Sequence, residues 1–285
     1  MHLDWIDGAV LGALGLLIGS FLNVVIYRLP IMLEAQWADE CAQLSGASED
    51  PPAETAAPPF NLLAPRSRCS HCGHQLAWWE NVPVLSFVFL GGKCSECKTA
   101  YGWRYPAVEV ATGLAFFYCG WRWGLSGAAI AWCGFSAALL ALALIDWDTT
   151  LLPDDVTLPL VWAGLVVAAL GVHPETSLST AFWGAVAGYL SLWLVYWGFK
   201  LLTGKEGMGF GDFKLFAALG AWFGWPALIP IILISSVIGA VVGLSMKFTS
   251  GLREGGYVPF GPFLAGAGFF SLFFGPDALL RWLGQ

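Results

Sequence analysis

A run of about twenty uncharged, mostly apolar residues constrains a chain more than any other local feature, because it is long enough for a helix to cross a bilayer. Residues 8–27 form such a run. Its flanks are unlike those of a cleavable signal: Asp4 and Asp7 precede it and Arg28 follows, the reverse of a basic leading segment. After Pro106 the chain is again almost continuously apolar, in stretches at 107–121, 127–145, 156–172, 181–199, 213–225, 227–246 and 258–275. Together these predict an all-α, polytopic membrane bundle of about eight spans, of which 213–225 is short enough to be tilted or re-entrant. Composition agrees, since 57% of residues are hydrophobic and 12% charged, against about 25% charged in soluble domains. A net charge of −7 with no basic stripe excludes nucleic acid as a partner class.

Between the first run and Pro106 the composition is polar. Residues 30–105 hold two proline pairs, acidic residues and two Cys-x-x-Cys pairs, and read as a small domain outside lipid. Its part 34–57 carries no motif and reads as a flexible insertion. With the N-terminus outside, eleven Lys and Arg fall on one membrane side and only Arg122 and Arg281 on the other. Positive charge favours the cytoplasm, which predicts a cytoplasmic polar domain. The chain thus divides into a first transmembrane helix at 1–29, a cytoplasmic domain at 30–105 and a membrane-embedded domain at 106–285.

The same orientation puts two acid-bearing turns on the cytoplasmic side. One is Asp146-Trp147-Asp148 running to Pro153-Asp154-Asp155; the other is Gly209-Phe210-Gly211-Asp212. Ionisable residues at a membrane boundary are costly and mark function. Two carboxyls from different helices can share a proton, one deprotonating a water while the other polarises a peptide carbonyl. Gly209 and Gly211 would present Asp212 through positive φ or close backbone approach. Asp148, Asp154 and Asp155 read more simply as helix caps and interfacial acids. A cation transporter using Asp146 and Asp212 would want them at mid-membrane depth, whereas they fall at span ends. A metal-dependent scaffold without chemistry would leave the glycine-flanked Asp212 unexplained.

Cys69-x-x-Cys72 and Cys94-x-x-Cys97 suit tetrahedral thiolate coordination of Zn²⁺. Disulfides compete, but a cytoplasmic domain keeps thiols reduced, and no βαβ pattern supports a redox pair. A closed four-thiolate site leaves no open position, so such a zinc would fold the domain without hydrolysing anything. His71 and His74 are bystanders on this reading. Cys119 and Cys133 are packing residues.

These residues also carry a resemblance. Gly209-Phe210-Gly211-Asp212 resembles the Gly-x-Gly-Asp signature of prepilin, preflagellin and presenilin-type membrane proteases. The turn from Asp146 to Leu152-Pro153-Asp154 is similar to the first aspartate motif of bacterial type IV prepilin peptidases. The likeness covers nearly the whole chain. Its further blocks are Gly19-Ser20-Phe21-Leu22-Asn23-Val24-Val25 with Arg28-Leu29-Pro30, Trp79-Glu80-Asn81-Val82-Pro83, Arg104-Tyr105-Pro106 with Glu109, and Pro259-Phe260-Gly261-Pro262. The cysteine domain sets it apart from the presenilin type. The resemblance implies that Asp146, rather than Asp148, is catalytic with Asp212. It implies prepilin or pseudopilin substrates, with a basic leader ahead of a long apolar helix. It implies a role in type IV pilus assembly or type II secretion at the bacterial inner membrane. It also implies a second activity, N-methylation of the new terminus by S-adenosylmethionine, linked to Gly92 and Lys93. Glu109 could orient the substrate amine there or pair with Arg104; Gly92 and Lys93 alone would read as a turn and a solvated charge.

Overall fold

The computed structural model describes residues 2–45, 60–172, 176–248, 258–276 and 278. These form helices α1 (His2–Leu44), α2 (Leu85–Phe89), α3 (Arg104–Trp123), α4 (Gly127–Thr149), α5 (Asp154–Ala169), α6 (Leu178–Thr203), α7 (Phe210–Phe223), α8 (Leu228–Phe248) and α9 (Gly261–Phe274). The chain gathers into two units, Met1–Cys133 and Gly134–Gln285.

All eight expected runs are helical, but only four helical segments among the described residues are both long and apolar enough to cross a membrane. They are Trp5–Leu44, Gly127–Thr149, Leu178–Thr203 and Trp225–Phe248. Helices α5, α7 and α9 hold 16, 14 and 14 residues. At 1.5 Å per residue they reach about 21–24 Å, short of the roughly 30 Å hydrocarbon core. Helix α3 is longer but carries Arg104, Glu109 and Arg122.

One expectation is corrected at the start of the insertion. Residues 34–44 are not a flexible segment, because α1 continues through Pro30 to Leu44. The stretch Glu34-Ala35-Gln36 to Leu44 is rich in helix formers, and Gln36 donates to Glu40 one turn on, at 2.8 Å. Residues 46–59, with the remainder of the insertion and both proline pairs, lie outside the described residues.

In the first unit α1 packs on α3 through a stripe of glycines, Gly8, Gly12, Gly15 and Gly19, on one helix face. A Cβ at Gly15 would lie 2.7 Å from Phe116 Cβ, and one at Gly19 2.7 Å from Glu109 Cα. Small residues let the backbones approach where lipid offers no hydrophobic drive between helices. The second unit is built around α7, whose residues from Asp212 to Trp222 are buried except Lys214. Gly188 of α6 sits on the Phe216 carbonyl, and Trp222 Nε1 donates to Leu160 O of α5 at 2.9 Å. The short helix is thus clad by longer ones, which explains how 14 residues can be so apolar and so little exposed.

Candidate active site and cysteine cluster

Three chain segments of the second unit converge on the aspartates. Asp146 occupies the last turn of α4 and is 4% exposed; Asp212 occupies the first turn of α7 and is 7% exposed. Asp146 lies close enough to Asp212 to act on it electrostatically. Asp148, two residues on, is exposed, so burial separates the two readings of the first motif. A helix carries i and i+2 on different faces, and only Asp146 faces inward.

The third segment is the start of α9. The backbone N–H of Gly261 donates to Asp146 Oδ2 at 2.9 Å in a buried bond. A Cβ at residue 261 would stand 2.5 Å from that same oxygen, so no side chain fits there without moving the carboxyl. Pro262 follows and offers no N–H, and the Phe263 and Leu264 amides bond back to Phe260 O. Gly261 therefore supplies the first free amide of α9. Asp212 has the opposite environment: the Gly209 backbone bonds its carboxylate, while Oδ1 is buried with no partner among the described residues.

Leu152 spaces these segments. It sits in the turn between α4 and α5, where Thr150 takes φ +56° and its N–H bonds Asp146 O at 2.8 Å. A Cβ at Gly211 would lie 2.6 Å from Leu152 Cβ, and one at Gly261 3.3 Å from its Cδ1. Of the two expected reasons for the glycines, positive φ needs correction. Gly209 has φ −80° and Gly211 is helical, so neither uses positive φ; Gly211 is small because Leu152 lies against it. The expected caps are corrected too. Pro153 holds the N-cap of α5, and Asp154 and Asp155 stand in its first turn, where the helix dipole favours anions. Asp154 forms an ion pair with Lys214 of α7 at 2.6 Å, tying the two helix starts beside Asp212. Sequence reasoning assigned no role to Gly261, Leu152 or Lys214, although Pro259-Phe260-Gly261-Pro262 had been noted as a block.

The four cysteines of the first unit also meet. Their sulfurs all lie within 4.8 Å of one another, with Cys69–Cys97 at 3.8 Å and Cys72–Cys94 at 3.9 Å. Disulfide sulfurs would stand at about 2.05 Å. A tetrahedral metal with bonds of about 2.3 Å requires sulfur–sulfur edges of about 3.8 Å, so the donor set fits a metal. The two knuckles share one backbone plan. Cys69 N donates to His74 O and Gly73 N to Cys69 O; Cys94 N donates to Thr99 O and Lys98 N to Cys94 O. Bridges close each hairpin, Arg68 with Gln75 and Lys93 with Ala100. The left-handed position falls at Gly73, φ +74°, and at Lys98, φ +56°. This short repeat was not seen in the sequence. Backbone N–H groups of Cys97 and Glu96, with the Tyr101 hydroxyl, pull the Cys94 thiol down to about 6. The His74 amide pulls Cys72 down as well, but burial and the other three thiols outweigh it and push that thiol up to about 11. Crowded thiols cannot all ionise without a cation. His74 lies outside the set and bonds Glu80 at 3.2 Å.

Gly92 and Lys93 begin the second knuckle. Gly92 is buried at φ +69°, and a Cβ there would meet the Phe87 ring at 2.9 Å; Lys93 is exposed. Glu109, 8% exposed, accepts from Val84 N at 2.8 Å and has Ser20 as a further partner. It therefore ties α3 to α1 and to the head of α2. Cys119 and Cys133 are buried, at 0% and 5% exposure, as packing residues are.

Two family models and several known proteins match the chain. A family described as the bacterial peptidase A24 N-terminal domain matches residues 13–123, and the type IV leader peptidase family matches residues 133–244. A prepilin leader peptidase/N-methyltransferase of Stutzerimonas stutzeri is 50% identical over 270 residues, 95% of this chain and 91% of the relative. One of the same description from Burkholderia pseudomallei strain 1026b is 52% identical over 263 residues, covering 92% and 84%. Another from Aeromonas hydrophila is 46% identical over 285 residues, covering 98% and 94%. No solved structure matches the chain.

Proposed function

The chain belongs to the type IV leader peptidase family, and on that premise we propose that it cleaves the basic leader from prepilins or pseudopilins with Asp146 and Asp212, then N-methylates the exposed terminus. The observation that carries the peptidase reading is the buried meeting of Asp146 and Asp212, one bonded by the Gly261 amide, the other with a free oxygen. The two carboxyls hold one proton between them. The ionised member takes a proton from water as the water attacks the scissile carbonyl, while its partner hydrogen-bonds the carbonyl oxygen. The proton then passes to the leaving amine. No covalent enzyme intermediate forms.

The reaction takes place at the cytoplasmic face of the bacterial inner membrane. The eight long helices all serve as spans or parts of spans, the short α7 being sheltered by its neighbours. The positive-inside bias supports this sidedness, and the substrate's apolar helix stays in lipid while its leader remains in water. Asp155 and Asp148, both exposed, would favour a basic leader. Pilus assembly or type II secretion is the process served.

Cys69, Cys72, Cys94 and Cys97 would hold Zn²⁺, which supplies folding stability and no catalytic step. S-adenosylmethionine supplies an electrophilic methyl group when bound. Gly92 shapes the turn that presents Lys93, and Glu109 braces the head of α2 through the Val84 amide. Their support for methylation is the family resemblance.

Incubating the purified protein with a prepilin and S-adenosylmethionine, then weighing the product, tests the whole proposal. The expected product has lost its leader and gained one methyl group. Intact prepilin would overturn the peptidase reading, and cleaved but unmethylated product the second activity.

A further inference from the structure

Arg28 closes the apolar run of α1, and its side chain turns onto the segment ahead of the first knuckle. It donates to Asn61 O and Pro65 O at 2.7 Å each and lies 5.6 Å from the Phe60 ring centre. These partners are neutral. They aim the guanidinium without cancelling its charge and leave the remainder of its five N–H donors for another group. Beside it opens a cavity of about 220 Å³, with Arg28, Arg66, Ser67 and Asn81 among its polar lining and Val24 and Leu62 among its apolar lining.

The lining thus offers two cations, a hydroxyl, a carboxamide and no acid. No carboxylate pairs with Arg28 or Arg66 among the described residues. A half-buried cation without a counter-charge is costly, and the missing charge is the ligand's. The basic leader of a prepilin is excluded by its sign. So is S-adenosylmethionine, whose ammonium and sulfonium outnumber its single carboxylate. The planar guanidinium fork matches phosphate oxygens. Position points to the source: Arg28 stands where an uncharged helix run ends, and Phe60 and Leu63 beside it are 44% and 85% exposed. Exposed apolar side chains around a basic rim belong to a membrane–water interface.

We propose that this cavity binds the phosphate of an anionic phospholipid, whose acyl chains lie beside α1. The proposal rests on α1 spanning the membrane and is independent of the aspartate chemistry. It also gives a role to two sequence blocks that the peptidase reading leaves unused, since Arg28 and Asn81 come from different ones.

The full-length protein, reconstituted in bilayers of phosphatidylcholine with phosphatidylglycerol, is examined by native mass spectrometry for retained lipid. Arg66→Gln is the informative variant, because Arg66 is exposed and does not staple the segment as Arg28 does. Arg122→Gln, at the end of α3, is the control for lost charge. We expect retained phosphatidylglycerol to bind about tenfold more weakly in Arg66→Gln and unchanged in Arg122→Gln, with phosphatidylcholine unaffected. A second arm titrates detergent-solubilised, lipid-stripped protein with inorganic phosphate. Arg66-dependent binding of inorganic phosphate without phosphatidylglycerol preference would overturn the lipid as the source while keeping the phosphate chemistry. Equal phosphatidylglycerol retention by wild type and Arg66→Gln, with no phosphate binding, would overturn the site. Prepilin cleavage is not the readout, so failure here leaves the peptidase reading untouched.

Discussion

The cysteine cluster and the aspartate pair each bring four or two reactive groups to one point, but by different means. In each knuckle two sulfurs three positions apart are set by a turn that closes on itself, with the same hydrogen bonds at the same offsets in both copies. Only the docking of one knuckle on the other is non-local. Asp146 and Asp212 lie 66 positions apart, and neither turn places its carboxyl unaided. Helix packing does so, with α9 adding an amide 115 positions from its acceptor. A locally made site tolerates distant change and fails when its own turn fails. A site made by packing is sensitive to one methyl group on a helix that carries no chemistry.

The largest expected effect is on the packed site itself. Asp146→Asn or Asp212→Asn should lower prepilin cleavage by about 10³-fold or more, since each removes a partner in proton transfer, with the membrane-inserted amount unchanged. Wild-type-like cleavage by either variant would break the pairing. Full activity of Asp146→Asn with inactive Asp148→Asn would keep a dyad but move its first member. Next comes Gly261→Ala, which should cost about 100-fold in kcat with KM little changed, because its Cβ would stand 2.5 Å from Asp146 Oδ2 and misplacement of a reacting group by about 1 Å is that costly. Gly266→Ala on the same helix meets nothing within 4 Å and should cleave like wild type. Equal activity of the two alanine variants would remove Gly261 from the site.

The knuckles give smaller and more separable effects. Replacing Cys69 and Cys72 by Ser should take bound zinc from about one per chain to none and open the domain to proteolysis, lowering cleavage only indirectly. A full metal complement in that variant would refute these ligands. Gly92→Glu should cut prepilin correctly but leave it unmethylated. It forces a side chain into φ +69° and against Phe87, at the start of a knuckle remote in sequence from both aspartates. Methylated product would sink that role; loss of both activities would show that the domain is needed for cleavage too. The smallest effect tests the repeat. Lys98→Gly should raise the domain's resistance to unfolding by up to about 1 kcal/mol, as the left-handed conformation costs a side chain about that much, whereas Gly73→Lys should lower it. Identical proteolysis midpoints would mean that the two turns are not equivalent.

Much of this protein was legible along the chain. Apolar runs marked where all eight long helices lie, because a backbone placed among apolar groups must satisfy its own hydrogen bonds. The Cys-x-x-Cys spacing identified the four thiols that meet, because a three-residue offset folds two thiols toward one point. The acid-bearing turns marked Asp146 and Asp212 as the residues to watch. What the sequence could not decide was set by contacts between segments far apart. The burial of Asp146 and exposure of Asp148 depend on which face of α4 turns toward α7. Gly211 is small because Leu152, 59 positions earlier, presses on it, and Gly261 is bare because its amide must reach Asp146. The length of α1 was misread because proline and a change in polarity marked the lipid boundary, and a helix can continue through both when its following residues favour helix. Local pattern reports which residues prefer helix or turn; only the assembled bundle reports which carboxyl faces which amide.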